Sequence, residues 1–288
     1  MSWTSDNHIM QRFTLHTHST FSDGKSTPIE MITEAMEQNL TMLGFSEHSP
    51  LPFDNNFSLK ADWDYVNTVK GYAATFTDKI KIKCGLETDY IPTVTRPFAE
   101  TRQHYGLDYV IGGVHLIGNT ANPDEIWFID GPKYEVYDEG LQKFFGGDIH
   151  RGVKAFYQQT NEMIENEEFD IIAHFDKIKM HNRNRYFTEE EKWYRDLALE
   201  TLNLIAEKGI IMEINTRGIY KKRCPDLYPS PWLIKEARKK NIPVIISSDA
   251  HHCSELTLEF ETAAKALLEA GYKTVTAIEN GDRQEFPL

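Results

Sequence analysis

Six of the eleven histidines in this chain follow short apolar runs, and acidic residues accompany them. His16 and His18 come after residues 12–15, with Asp23-Gly24 close behind. Glu47-His48 follows 42–45, Glu87 follows 80–84, His115 ends 109–114, His174 follows 170–173, and Asp249 and His251 come after 244–246. A lone histidine at a strand end is more often a hydrogen-bonded structural residue than a ligand. Two at i and i+2 on an extended segment share a face and can grip one ion from two sides. His16/His18 have that spacing, and Asp249/His251 repeat it. Imidazole and carboxylate without thiolate suit zinc, manganese or iron rather than calcium. The nine candidates (Asp23, Glu87, Asp249 and the six histidines) exceed the four ligands of a closed tetrahedral structural site. The surplus implies two or three ions sharing bridging carboxylates, a cluster able to activate a hydroxide and clamp a phosphoryl group. His8, His104, His150 and His181 lack this placement, and His252 is expected to point away.

The apolar runs are the strands that must position these groups. Runs at 12–15, 42–45, 80–84, 109–114, 170–173, 210–214 and 244–246 are mostly continuous and rich in Val and Ile, as parallel strands covered on both faces require. Helical patterns lie between them: 26–37, opening Ser-Thr-Pro; 188–208, opening Thr-Glu-Glu-Glu and stopping at Gly209; 231–240; and 256–270. Strand–helix alternation means βαβ units, and seven of them suit an α/β barrel whose strand ends form one functional face. One domain is expected over 1–288, with a polar loop at 51–60 and an insertion at about 116–148. The aromatics of that insertion, Trp127, Phe128, Tyr134, Tyr137, Phe144 and Phe145, argue for order in it.

Composition narrows the partners. With 31 basic and 44 acidic side chains the formal charge is -13, which disfavours binding to nucleic-acid phosphates. Three scattered cysteines without a CxxC pair point to a reducing compartment and against a thiolate site. The opening MSWTSDNHIM lacks the basic and apolar blocks of a signal peptide, and no apolar run approaches membrane-spanning length. A cytoplasmic location with no membrane partner is the expectation; oligomeric state is not legible.

In the order HxHx4DG, EH, E, VH, H and SDAH, the chain resembles the polymerase and histidinol phosphatase (PHP) superfamily. The resemblance implies a distorted seven-stranded (β/α) barrel with a trinuclear site. One metal would take His16, His18, Glu87 and Asp249; a second would share Glu87 and take His115 and His174; a third would take Asp23, His48 and His251. IGGVHLIG (111–118), AHFDKIK (173–179), EINTRGIYKK (213–222) and YPS (228–230) resemble the histidinol-phosphatase branch. That likeness implies hydrolysis of a small phosphate monoester, L-histidinol phosphate, in histidine biosynthesis, with Asp249 and His251 among the catalytic candidates. Arg183 and Arg217, with Arg185 behind them, are the expected phosphate forks. Asp130 is the expected contact for the substrate amine, with Asp176 as another option. The alternative is a phosphoesterase of the same superfamily acting on nucleotide, sugar or nucleic-acid phosphate, because fold and metals do not select a substrate. An amidohydrolase-type barrel also begins HxH, but a Glu after strand three and an Asp after strand seven do not fit it.

Overall fold

The structure, a computed structural model, describes residues 11–53, 55–279 and 281–288. The opening segment, with His8, lies outside the described residues. Seven strands form one sheet: β1 (Phe13–Thr14), β2 (Met42–His48), β3 (Lys81–Asp89), β4 (Tyr109–Gly113), β5 (Ile171–Ile172), β6 (Ile211–Asn215) and β7 (Val244–Ser247). Each pairs in parallel with the next in sequence. The two outer strands then meet. Thr17 and Ala250 form a parallel bridge, and His18 N donates to the Ala250 carbonyl at 2.8 Å. Below that seam, the Gln11 amide donates to Ile246 O (2.6 Å) and accepts from Ile246 N (3.0 Å). The sheet therefore closes into a distorted seven-stranded barrel. Its consecutive strand order follows from crossovers that pack helices on the outside.

The crossover helices are α1 (Pro28–Glu37), α2 (Asp62–Thr75), α3 (Phe98–Tyr105), α4 (Tyr134–Phe145), α5 (Ile149–Asn166), α6 (Lys192–Lys208) and α7 (Pro231–Lys239), and α8 (Phe260–Ala270) follows the last barrel strand. Three start later than their sequence signals suggest. Thr27, not Ser26, caps α1, in a reciprocal capping box with Glu30; the Ser26 hydroxyl instead accepts from Cys253 N. Thr188 N is met by the Glu191 carboxylate at 2.8 Å, but α6 opens four residues on, at Lys192. Glu259 at φ 62° interrupts the 256–270 pattern, so α8 begins at Phe260. Gly209 ends α6 at φ 66°, as read from the sequence.

The 116–148 stretch is ordered and packed. Leu116–Ile117 pairs antiparallel with Trp127–Phe128, and α4 folds back over them. Trp127 is buried against Gly140 and Gly152, and its indole N–H donates to Tyr137 O at 3.0 Å. Unforeseen in the sequence is a closing hairpin, β8 (Thr274–Glu279) with β9 (Asp282–Pro287), antiparallel. Its Phe286 ring meets Phe13 at 5.1 Å, under the first strand.

Inside the barrel, Tyr109 acts as a strut. Its hydroxyl donates to Leu15 O at 2.5 Å, with Phe45 O 2.9 Å away, linking β4 to β1 and β2. The ring has room because residue 85 on β3, its register partner, is glycine. A Cβ there would collide with the ring. We therefore expect Gly85→Ala to lower unfolding stability by about 1–3 kcal/mol through overpacking. Urea denaturation of the two proteins side by side measures it, and an unchanged midpoint would show that the ring is free to move.

Candidate metal centre

Parallel strands present their C-terminal ends to one side, and the sequence places its histidines and acids just there. Glu87, near the end of β3 and in register with His48, reaches the middle of that face and is 1% exposed. Its Oε2 lies 3.2 Å from His16 Nε2, 3.4 Å from His18 Nε2 and 3.2 Å from His48 Nδ1. Its Oε1 lies 3.0 Å from His174 Nε2 and 3.6 Å from His115 Nε2. Asp249 Oδ1 is 3.7 Å from His16 Nε2 and 3.4 Å from both His18 Nε2 and His251 Nδ1. Asp23 Oδ1 is 3.2 Å from His251 Nε2 and 3.9 Å from His48 Nε2. All nine candidates are thus brought together.

Three overlapping groups have ligand atoms close enough to share an ion: His16, His18 and Asp249; His48, Glu87 and His115; and His18, Asp23, His48 and His251. The partition differs from the expected one: Glu87 is not in the group of His16, His18 and Asp249, and His174, 3.0 Å from Glu87 Oε1, is in none of the three. His18 also reaches the Asp23 group, and His48 also reaches the Glu87 group, because the two rings stack 4.5 Å apart across the β1–β2 pair.

Polar atoms without aligned partners mark the centre. His16 Nε2, both nitrogens of His18, Asp23 Oδ1 and His48 Nδ1 are buried without a hydrogen bond, although carboxylates or imidazoles lie near them. Atoms disposed around shared points rather than paired with each other are what a coordinating cation requires. Protonation tells the same story. Burial pushes His18 down, but Asp249 and Glu87 more than offset it and bring it to about 9; His16 is raised by Glu213, Glu87 and Asp249 despite its burial. Those protons stand where cations belong. Burial, with Lys177 nearby, lowers His174 to about 4, and burial with Arg217 does the same for His251, so both rings offer lone pairs at neutral pH. The donor set fits hard-to-borderline divalent ions.

Behind the ligand candidates stand residues that aim them. Glu213 on β6 meets His16 Nδ1 at 2.5 Å, which turns Nε2 toward Glu87, and its other oxygen accepts from His174 N at 3.0 Å. That second bond steadies a residue held at φ 23°, a strained backbone for a non-glycine. Asp89 Oδ1 accepts from the His115 backbone (2.9 Å) and meets its Nδ1 at 2.8 Å. Glu47 collects Ser19 N at 2.9 Å and the hydroxyls of Ser19 and Ser22, so it shapes the turn that carries Asp23. Gly24 is needed in that turn, since a Cβ would strike the His18 carbonyl. Sequence reasoning missed Glu213, Asp89 and Glu47 as positioning groups. A carboxylate on the same strand end as a histidine, or on the next strand, was the available signal.

A cavity of about 120 Å³ opens beside the cluster, lined by Asp23, His48, His115, Asp249 and His251 with Phe57, Phe128, Asp130, Lys177, Arg217 and Arg223. Among the arginines, only Arg217 sits where expected: its Nη1 donates to Asp249 O at 2.5 Å. Arg183 does not reach this cavity. Its guanidinium donates to the carbonyls of Lys222 (2.9 Å) and Arg223 (3.2 Å) and faces a separate, larger groove. Arg185 is farther from the role, forked onto Asp138 at 2.6 and 2.8 Å over Tyr134 and Tyr186. Asp176 is fully buried, held by Lys179 Nζ (2.8 Å) and Ser230 N (3.0 Å), and does not line the cavity. Asp130 does line it, but not as a bare acidic wall: Lys177 Nζ is 2.7 Å away and Arg223 Nη1 is 3.6 Å away. His104, His150, His181 and His252 stay outside the cluster, as expected, and the His150 ring stacks on Trp193 at 4.0 Å.

A closed parallel barrel with a histidine–carboxylate cluster at its strand ends defines a metal-binding (β/α) barrel. The chain belongs to the PHP domain family, whose family model matches residues 14–217. That span stops short of β7, so Asp249 and His251 join the site through the fold. A protein of Deinococcus radiodurans named probable histidinol-phosphatase is 28% identical over 254 residues, covering 87% of this chain and 90% of that one. The histidinol-phosphatase of Bacillus subtilis is 25% identical over 275 residues, covering 88% and 98%. Among solved structures, the chain is similar to histidinol phosphate phosphatase from Lactococcus lactis complexed with zinc, L-histidinol and phosphate. The TM-score is 0.71 at 24% identity, over 95% of this chain and 99% of that one, which shows a shared fold.

If Glu213 aims His16 and fixes His174, Glu213→Gln will weaken divalent-ion binding about 10–100-fold. Competition with a chromophoric chelator reads this without any turnover assay. Unchanged affinity in a folded variant would remove the positioning role.

Proposed function

We propose that this protein is a metal-dependent phosphatase hydrolysing L-histidinol phosphate to L-histidinol and phosphate. The observation carrying the reading is that nine metal-ligand candidates converge at the strand ends, and five of them (Asp23, His48, His115, Asp249 and His251) line one cavity with Arg217, Lys177 and Arg223. The relatives named as histidinol-phosphatases support the substrate. In this reading His16, His18, Asp23, His48, Glu87, His115, His174, Asp249 and His251 hold two or three divalent ions, zinc, manganese or iron. When bound, such ions lower the pKa of a coordinated water and neutralise phosphoryl oxygens.

The chain's own residues supply orientation and charge. Arg217 is anchored on Asp249 O and keeps further N–H groups for a phosphoryl oxygen, so it ties phosphate position to the ligand loop. Phe57 and Phe128, with rings stacked 5.8 Å apart and 9° from parallel, give the cavity an apolar wall for the organic portion. Asp249 and His251 stand at the mouth as candidates for handling the leaving oxygen's proton. A single domain in a reducing cytoplasm belongs to this reading, and the unpaired Cys84, Cys224 and Cys253 support the reducing environment. Among the described residues, no helix is long and apolar enough to cross a membrane.

Phosphate release from L-histidinol phosphate, beside nucleotide and sugar monophosphates, tests the substrate on manganese- or zinc-loaded protein. A clear preference for L-histidinol phosphate is expected; better turnover of another ester would replace the substrate and keep the site. Arg217→Ala should lower kcat/KM about a hundredfold or more with ion content retained, whereas Arg185→Ala should change it less than about threefold. Equal losses for the two variants would contradict the placement of Arg217.

A further inference from the structure

The Lys177–Asp130 pair is an unusual object to find in a catalytic cavity. Lys177 is 3% exposed and leads the 3-10 turn Lys177–Lys179, its backbone N–H bonded to His174 O at 2.8 Å. It is therefore fixed directly behind a metal-ligand candidate. Its ammonium faces Asp130 Oδ2 at 2.7 Å and lies near enough to Asp249 and Glu87 to feel their charge. Asp130 Oδ2 is also 3.9 Å from His115 Nε2. Both members of the pair line the cavity that five of the metal-ligand candidates also line.

A buried ion pair rarely adds net stability over apolar packing, and removing one partner strands the other at a cost of several kcal/mol. A substrate carrying charge of one sign would strand one partner if it engaged the other. One carrying both signs can exchange with the pair and leave no charge unmatched. An ammonium two carbons from a phosphate-ester oxygen presents the two charges about as far apart as adjacent side chains would require.

We propose that the Lys177–Asp130 pair is a substrate-recognition element that opens by partner exchange: Lys177 binds a phosphoryl oxygen, and Asp130 takes the ammonium of an amino-alkyl phosphate. This rests on the phosphatase reading above and deepens it. It restores to Asp130 the amine contact expected from the sequence, through a lysine the sequence did not single out. Arg223, 3.6 Å from Asp130, stays beside that carboxylate while its partners exchange.

The test is equilibrium binding to metal-loaded protein, with inorganic phosphate, ethyl phosphate and ethanolamine phosphate as probes. The last two differ by the amine. Lys177→Met and Lys177→Gln should weaken ethanolamine phosphate about tenfold or more, since a charge-assisted hydrogen bond is lost, and Lys177→Arg should recover most of it; inorganic phosphate, which cannot replace Lys177 at Asp130, should change less. Asp130→Asn should abolish the preference for ethanolamine phosphate over ethyl phosphate shown by the wild-type protein. Ion content and thermal midpoint are recorded for each variant, and the Gln and Arg variants serve if Met fails to fold. Ethanolamine phosphate binding in the Met and Gln variants equal to wild type overturns the proposal. So does an Asp130→Asn protein that retains the amine preference, or a wild type that has none. Because no arm needs turnover, failure of L-histidinol phosphate as substrate remains a separate result.

Discussion

Glu87 keeps its carboxylate 1% exposed at the floor of the barrel mouth, with nitrogens from His16, His18, His48, His115 and His174 all within 3.6 Å. A carboxylate so far from water is tolerated only when cations or donors compensate it. Four different strand ends contribute that compensation, so the barrel must bring each to the same depth. Closure is part of the same requirement. The bond from His18 N to Ala250 O draws the first and last strands together, and Asp249 and His251 reach the cluster only through it.

Charge alternates outward from that point. The imidazoles around Glu87 are backed by carboxylates: Glu213 behind His16 and Asp89 behind His115. Asp249 is backed by Arg217, and toward the mouth Asp130 is set between Lys177 and Arg223. Each layer offsets the field of the one beneath it, and this lets a chain with a formal charge of -13 gather so many acids in one place. The same layering leaves a cationic rim around a cavity that an anion can enter.

Much of this was legible in the residues. Apolar runs marked all seven barrel strands and most were continuous, since burial on both faces removes polar alternation; 80–84, with Lys81 exposed, kept it. The i, i+2 spacing of His16/His18 and Asp249/His251 survived into the structure because side-chain direction along an extended chain is local geometry. Cations were harder to place. Arg183 and Arg217 each follow a strand, yet Arg183 turns at φ 44° and spends its donors on the Lys222 and Arg223 carbonyls. Long side chains choose partners after the backbone is set, and sequence position does not record the choice. The closing hairpin was missed for a related reason: its outer strand, Asp282–Pro287, is largely exposed and carries little apolar pattern.

By itself, then, the sequence determined the number of barrel strands, the helix stops such as Gly209, and the identity of the nine groups that converge, because periodicity and strand-end position are local properties. Only the tertiary structure decided how those groups share carboxylates, that Glu213 and Asp89 aim them, and that Lys177 and Arg223 rather than Arg183 and Arg185 line the cavity. Those outcomes depend on angles and distances between segments far apart in the chain, which are settled when the barrel closes and buried charges find their counterions.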